Sequence, residues 1–216
     1  MEEYLLAMVR RCYSEGLLKR SSGNVSVYDS ESGIMTITPT SIPYNVMEAD
    51  DIVNITLEGA IVSGKHKPSS EWPMHAAVYR VYPNVKAQIH THSTYATSFA
   101  VNNIDIPVIL IEMVPILGGN VRVAHFELPG IEALGLSAVA SLEDRNACLL
   151  ANHGALAVGG SLEQAYINAA CLEDVAKTYS LALGNGPISI VSDEHVMAMK
   201  KSCKNSVMWA RGKEMF

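Results

Sequence analysis

The sequence predicts an α/β fold: a single domain with a central, mostly antiparallel (mixed) β-sheet flanked by helices on both faces. Three observations carry this expectation. Strand-like stretches crowd the middle of the chain with helical stretches around them. Hairpin connections outnumber βαβ crossovers. Of the 216 residues, 49% are hydrophobic, enough for one substantial core. Neither a low-complexity linker nor an internal repeat divides the chain. Residues 1–216 therefore read as a single domain, with the motif-bearing part over about 3–183 and a C-terminal tail over 184–216.

The elements follow in order. Leu5, Met8, Val9, Cys12 and Tyr13 recur at helical spacing, so residues 2–14 form a helix, with Gly16 at its C-terminal end. VSVYD and IMTIT alternate as strands around the turn-rich DSESG. DIVNITL is a further strand, and EGAIVSG reads as a hairpin. Ser69 or Ser70 can cap a helix over 71–82, with Pro73 in its first turn and Pro83 ending it. VKAQIHTH is a strand and STYATSFAV a short helix. IPVILI and ACLLAN read as buried strands, with a helix near 130–141 between them. SLEQ at 161–164 is a capping-box pattern that opens a long helix over about 162–182, ending at Gly184.

Composition narrows the function classes. The start, MEEYLLAMVRRCY, has acids where a signal peptide has a basic region. The longest apolar run, IPVILIEMVPILGG, is broken by Glu112 and Pro115, short of the roughly 20 residues of a membrane span. Net charge is −6, and KHK at 65–67 and MKKSCK near the end are the basic clusters, so a nucleic-acid partner is not expected. Cys12, Cys148, Cys171 and Cys203 are scattered without a CxxC pair, which suits reduced thiols in a soluble cytoplasmic protein.

The chemistry centres on QIHTHSTYA. On a strand, residues i and i+2 share a face, so His90 and His92 project together from a strand end. That arrangement suits two nitrogen ligands of one metal. His153, in ANHGALAV at the end of ACLLAN with Gly154 behind it, is the candidate third. Three histidines with an open position describe a catalytic rather than a structural zinc site. The alternative is a half-buried polar pair at a strand end. His66, His75, His125 and His195 lack such pairing and read as surface or structural histidines.

Three turns could hold a phosphate. SSGN (21–24) offers a glycine, backbone N–H groups and the Asn24 amide. TPTS (38–41) offers hydroxyls beside a proline turn, and PSSE (68–71) puts two hydroxyls at a helix N-terminus. Each alone is an ordinary turn or cap. Glu71 could be an ordinary first-turn acid; beside a divalent metal it could be a general base or a labile fourth ligand.

SSGNVSV, TPTSIPY, KPSSEWPMHAAVYR, QIHTHSTYA and LLANHGALAVG occur in the order typical of the class II aldolase/adducin family. The chain resembles that family over roughly residues 3–183, most of all its L-fuculose-1-phosphate aldolase members. The resemblance implies a cyclic homotetramer with active sites between subunits. It implies a zinc on His90, His92 and His153, with Glu71 as catalytic acid/base and labile ligand. It implies a phosphate pocket at Gly23, Asn24, Thr40, Ser41, Ser69 and Ser70. It also implies cleavage of a ketose 1-phosphate to dihydroxyacetone phosphate and an aldehyde, with no Schiff-base lysine. Mn²⁺, Co²⁺ or Fe²⁺ could occupy the same imidazoles.

The chain departs from the family pattern twice. Family aldolases carry a tyrosine in the stretch matching IPVILIEMVPILGGN and another in the tail, and neither occurs here. Both bear on the aldehyde half of the substrate. Glu112 is the ionisable residue of the first stretch and a candidate polar substitute, or else a surface or inter-subunit acid. Sister L-ribulose-5-phosphate 4-epimerases share PSS and HTH but carry Asp where Glu71 stands. Related dehydratases and decarboxylases of sugar phosphates remain alternatives. A non-catalytic, adducin-like interaction module is the alternative of another class. It should have eroded the histidines or the glutamate, and all four are present.

Overall fold

The computed structural model describes residues 1–203. Eight strands form one sheet: β1 (Asn24–Asp29), β2 (Ile34–Ile37), β3 (Val53–Thr56), β4 (Ile61–Ser63), β5 (Ala87–Thr91), β6 (Val123–Ala124), β7 (Ala147–Leu150) and β8 (Gly154–Gly159). Their spatial order is β4-β3-β2-β1-β5-β8-β7-β6. Every neighbouring pair is antiparallel except β6 with β7. The expected mixed, mostly antiparallel sheet is therefore the observed one.

Helices cover both faces, and the strands divide their side chains between two cores. Helices α1 (Glu2–Ser14), α3 (Thr94–Asn102), α4 (Met113–Leu117) and α6 (Leu162–Leu183) pack on one face; α2 (Trp72–Val81) and α5 (Glu132–Leu142) pack on the other. On β7, Ala147 and Leu149 enter the first core while Cys148 and Leu150 enter the second. On β8, Ala155 and Ala157 oppose Leu156 and Val158 in the same way. Strands buried on both faces read as continuous apolar runs, as ACLLAN does.

Helix ends carry the links between layers. Ser161 Oγ caps α6 by accepting the Gln164 N–H at 3.2 Å, while Gln164 Oε1 reaches back to the Gly160 N–H at 2.9 Å. Helix α3 starts just after His92, and its Ser93 N-cap makes no side-chain cap bond. Glu173 of α6 caps it instead, accepting the N–H groups of Tyr95 (2.9 Å) and Ala96 (2.8 Å). Glu173→Ala is expected to lower unfolding free energy by about 1–3 kcal/mol, because two N–H groups lose a charged acceptor. Urea unfolding of the two proteins checks this.

Two expectations need correction, and two elements were not expected from the sequence. IPVILI is not a strand: Ile106 makes one isolated bridge, to Val121, and the segment then runs irregularly into α4. Pro107 has no N–H for a ladder, and Ile106 and Val108 bury against the first core without one. The segment GALAVG forms β8, whose small residues give little strand signal by themselves. Neither Ser69 nor Ser70 is the N-cap residue of α2; Glu71 holds that position, and Ser69 Oγ accepts the Glu71 N–H at 3.3 Å in the preceding turn. The tail contains a further helix, α7 (Asp193–Cys203), tied to the body by Lys200 Nζ–Asp144 Oδ2 at 2.9 Å. The tyrosine-free end of the tail lies outside the described residues. Among those described, no helix is long and apolar enough to cross a membrane.

Candidate active site and metal centre

Three chain segments converge where β5 ends. His90 is on β5, and His92 follows that strand directly. His153 lies in the tight turn between β7 and β8, and β8 pairs with β5, His90 standing opposite Leu156. Glu71 enters from the turn before α2. His90 and His92 share a side, as the period of two requires, with their Nε2 atoms 3.0 Å apart. Glu71 Oε2 lies 3.2 Å from His90 Nε2, and Oε1 lies 3.1 Å from His153 Nε2. One ligand atom from each of Glu71, His90, His92 and His153 falls within a 4.8 Å cluster.

This donor set fits a divalent cation. The His90 Nδ1–H donates to the Ala155 carbonyl at 2.9 Å, which leaves the Nε2 lone pair facing the cluster. Burial, then the neighbouring imidazoles His90 and His153, push His92 down to about 4, so it too presents a lone pair at neutral pH. Burial also works against ionisation of Glu71, but the facing His90 and His153 outweigh it and hold the carboxyl well below its usual range. Burial disfavours the charged form of His90, yet Glu71 raises its proton affinity above the ordinary value. A proton and a cation therefore compete for His90 Nε2.

Gly154 makes room for the rings. A Cβ there would collide with the Thr91 carbonyl and come within 3.2 Å of His90 Cε1 and 3.3 Å of His92 Cδ2. Gly154→Ala should weaken divalent-cation binding by about 10- to 100-fold by displacing two ligand rings. Calorimetric titration of the metal-free protein measures it.

Beside the cluster opens a cleft of about 230 Å³. It is lined by Gly23, Asn24, Thr40, Ser41, Ser69, Ser70, Glu71, His92 and His153, together with Ser21, Ser22, Pro39 and Pro129. All the residues expected for the phosphate pocket thus face one cavity with the metal cluster; His90 lies behind it, fully buried. The turns are stitched together: the Thr40 N–H donates to the Lys67 carbonyl and the Ser69 N–H to the Thr38 carbonyl, both at 3.0 Å. Gly23 has φ +87°, and a Cβ there would lie 2.5 Å from the His90 carbonyl oxygen. Ser41 also takes a positive φ, 63°, sparsely populated for a residue with a side chain. Glu112 does not line the cleft; it precedes α4, and its charge joins burial in pushing the Cys171 thiol up to about 12.

Sequence reasoning missed Tyr44 and His75. The Tyr44 hydroxyl donates to the Gly23 carbonyl at 2.5 Å and so holds the SSGN turn from beneath. His75, read as a surface or structural histidine, is fully buried and bonds to Asn24, which bonds to Glu71. Its spacing of four from Glu71 on a helix start was the available signal.

Comparison with known proteins agrees with this arrangement. The family profile described as the class II aldolase and adducin N-terminal domain matches residues 3–180. A 5-deoxy-D-ribulose 1-phosphate aldolase from Bacillus thuringiensis serovar kurstaki is 32% identical over 199 residues, covering 92% of this chain and 93% of the relative. An L-ribulose-5-phosphate 4-epimerase from Salmonella paratyphi B is 30% identical over 202 residues, covering 84% and 85%. Among solved structures, an L-fuculose 1-phosphate aldolase superposes with a TM-score of 0.89 at 35% identity, covering 93% of this chain and 94% of that one. With the fold, the histidine–glutamate cluster and these likenesses together, the chain belongs to the class II aldolase and adducin family.

Proposed function

We propose that the protein is a metal-dependent class II aldolase (an aldehyde-lyase) that reversibly cleaves a ketose 1-phosphate to dihydroxyacetone phosphate and an aldehyde. The substrate is L-fuculose 1-phosphate or a related deoxy-ketose 1-phosphate. One observation carries this reading: the Glu71 carboxylate, 3.1–3.2 Å from two imidazoles of a metal-ligand cluster, opens onto a cleft lined by serine and threonine residues.

In this reading His90, His92 and His153 hold the cation, zinc by preference for three imidazoles, with Glu71 within reach as a labile ligand. The cation supplies Lewis-acid stabilisation of the negative charge that develops as the C3–C4 bond breaks. The protein groups do the rest. Ser69, Ser70, Thr40, Ser41, Asn24 and the Gly23 turn receive the phosphate, the hydroxyls and N–H groups acting as donors. Their contacts keep C3 beside Glu71. In cleavage the C4 hydroxyl gives up its proton to water as its oxygen becomes the aldehyde carbonyl, the C3–C4 bonding pair stays on C3, and Glu71, having taken up a proton from water, delivers it to C3. In synthesis the same carboxylate removes that proton, which suits a group held ionised at neutral pH. The protein is further expected to work in the cytoplasm as a homotetramer with active sites between subunits.

The likeness to a 4-epimerase supports a second reading, in which the same cleavage is followed by re-addition. Condensation assays separate the two. Dihydroxyacetone phosphate would be mixed with acetaldehyde, L-lactaldehyde or glycolaldehyde and the zinc-loaded protein. Formation of a ketose 1-phosphate is the expected result. Interconversion of L-ribulose 5-phosphate and D-xylulose 5-phosphate without any such condensation would overturn the aldolase reading.

A further inference from the structure

Behind Glu71 lies a file of buried polar groups that begins at Asn24 of the cleft and continues into residues the reaction as described does not use. Asn24 Nδ2 stands 2.8 Å from Glu71 Oε2, and Asn24 Oδ1 stands 2.5 Å from His75 Nε2. His75 Nδ1 is 2.6 Å from Ser26 Oγ, which is 2.7 Å from the Tyr79 hydroxyl. Asn24, Ser26, His75 and Tyr79 are all buried, and His75 and Ser26 are fully so. Two elements supply them, β1 and α2, and Glu71 stands in the turn before α2.

The carboxylate fixes every hydrogen in this file. An ionised Glu71 only accepts, so the Asn24 NH₂ must face it; a flipped amide would set two oxygens against each other. Asn24 Oδ1 then requires a donor, so the His75 proton sits on Nε2. His75 Nδ1 requires a donor in turn, which is the Ser26 O–H, and Ser26 accepts from Tyr79. All four bonds point the same way, toward the carboxylate. Burial lowers His75 to about 3, with the His90 charge adding to the effect, so the imidazole stays neutral and keeps one proton to donate.

We infer that His75 is a positioning residue: through Asn24 it fixes the Glu71 carboxylate at the angle from which it exchanges a proton with the substrate carbon. An asparagine amide alone can rotate by half a turn at little cost. Paired on one side with an Nε2–H donor and on the other with a carboxylate, it has one orientation. A group that must reach a carbon within a fraction of an ångström gains rate from such restraint. The inference rests on the assignment of Glu71 as the acid/base group.

The test uses the full chain loaded with zinc and dihydroxyacetone phosphate in D₂O, where exchange of the C3 hydrogen reports Glu71 without any aldehyde. At saturating dihydroxyacetone phosphate, His75→Leu should slow exchange about 10- to 100-fold while zinc content stays unchanged. His75→Gln, whose amide N–H can stand in for Nε2–H, should recover most of the loss. His75→Asn, which reaches only the Nδ1 position, should not. Independently of any turnover, ¹⁵N NMR of the unsubstituted, zinc-loaded protein should show His75 neutral with its proton on Nε2. Equal exchange rates in the Gln, Asn and unsubstituted proteins, or a proton on Nδ1, would overturn the inference and leave the Glu71 assignment standing. Absence of zinc-dependent exchange in the unsubstituted protein would remove the Glu71 assignment instead. If His75→Leu does not fold, the Gln–Asn pair and the NMR result decide.

Discussion

His92→Ala is expected to lose its bound divalent cation and its turnover together, turnover falling by more than about 100-fold. His92 contributes one of three imidazoles, and its Nε2 sits 3.0 Å from that of His90. The remaining pair cannot surround a cation without a third nitrogen. The fold should survive, since His92 lies at the cleft rather than in either core. Elemental analysis, circular dichroism and turnover on one preparation check all three points. Full turnover with stoichiometric metal would show that the cluster is not the catalytic centre.

Glu71→Gln is expected to separate the two properties that His92→Ala removes together. The three imidazoles remain, so zinc stays bound. The amide cannot carry a proton to or from carbon, so turnover should fall by about 100- to 10,000-fold. Phosphate affinity should change little, because the hydroxyl turns are untouched. Exchange of the dihydroxyacetone phosphate hydrogen in D₂O and elemental analysis are the measurements. Exchange at the unsubstituted rate would move the acid/base role to another group.

Much of the site was legible because it obeys local rules. The spacing of His90 and His92 on a strand gave a shared face directly. His153 stood at the end of an apolar run, and the structure sets that turn beside the end of β5. The motif order then carried the residues of the phosphate turns, which line one cleft as expected. Other features depended on long-range packing. GALAVG becomes β8 only because β5 and β7 lie on either side of it; alanine and glycine carry almost no strand preference. IPVILI is apolar enough for a strand, but periodicity cannot tell a buried strand from buried coil, and Pro107 withholds a donor. His75 looked solitary because its partners, Asn24 and Ser26, are 51 and 49 residues away in sequence.

The most direct test of the metal-dependent aldolase centre is release of dihydroxyacetone phosphate from a panel of ketose 1-phosphates, with and without a chelator. The panel would include L-fuculose, L-ribulose and 5-deoxyribulose 1-phosphates. Release that the chelator abolishes and zinc restores is the predicted result, and the best member of the panel names the aldehyde. Release that ignores the chelator, or no release from any member, would contradict the assignment.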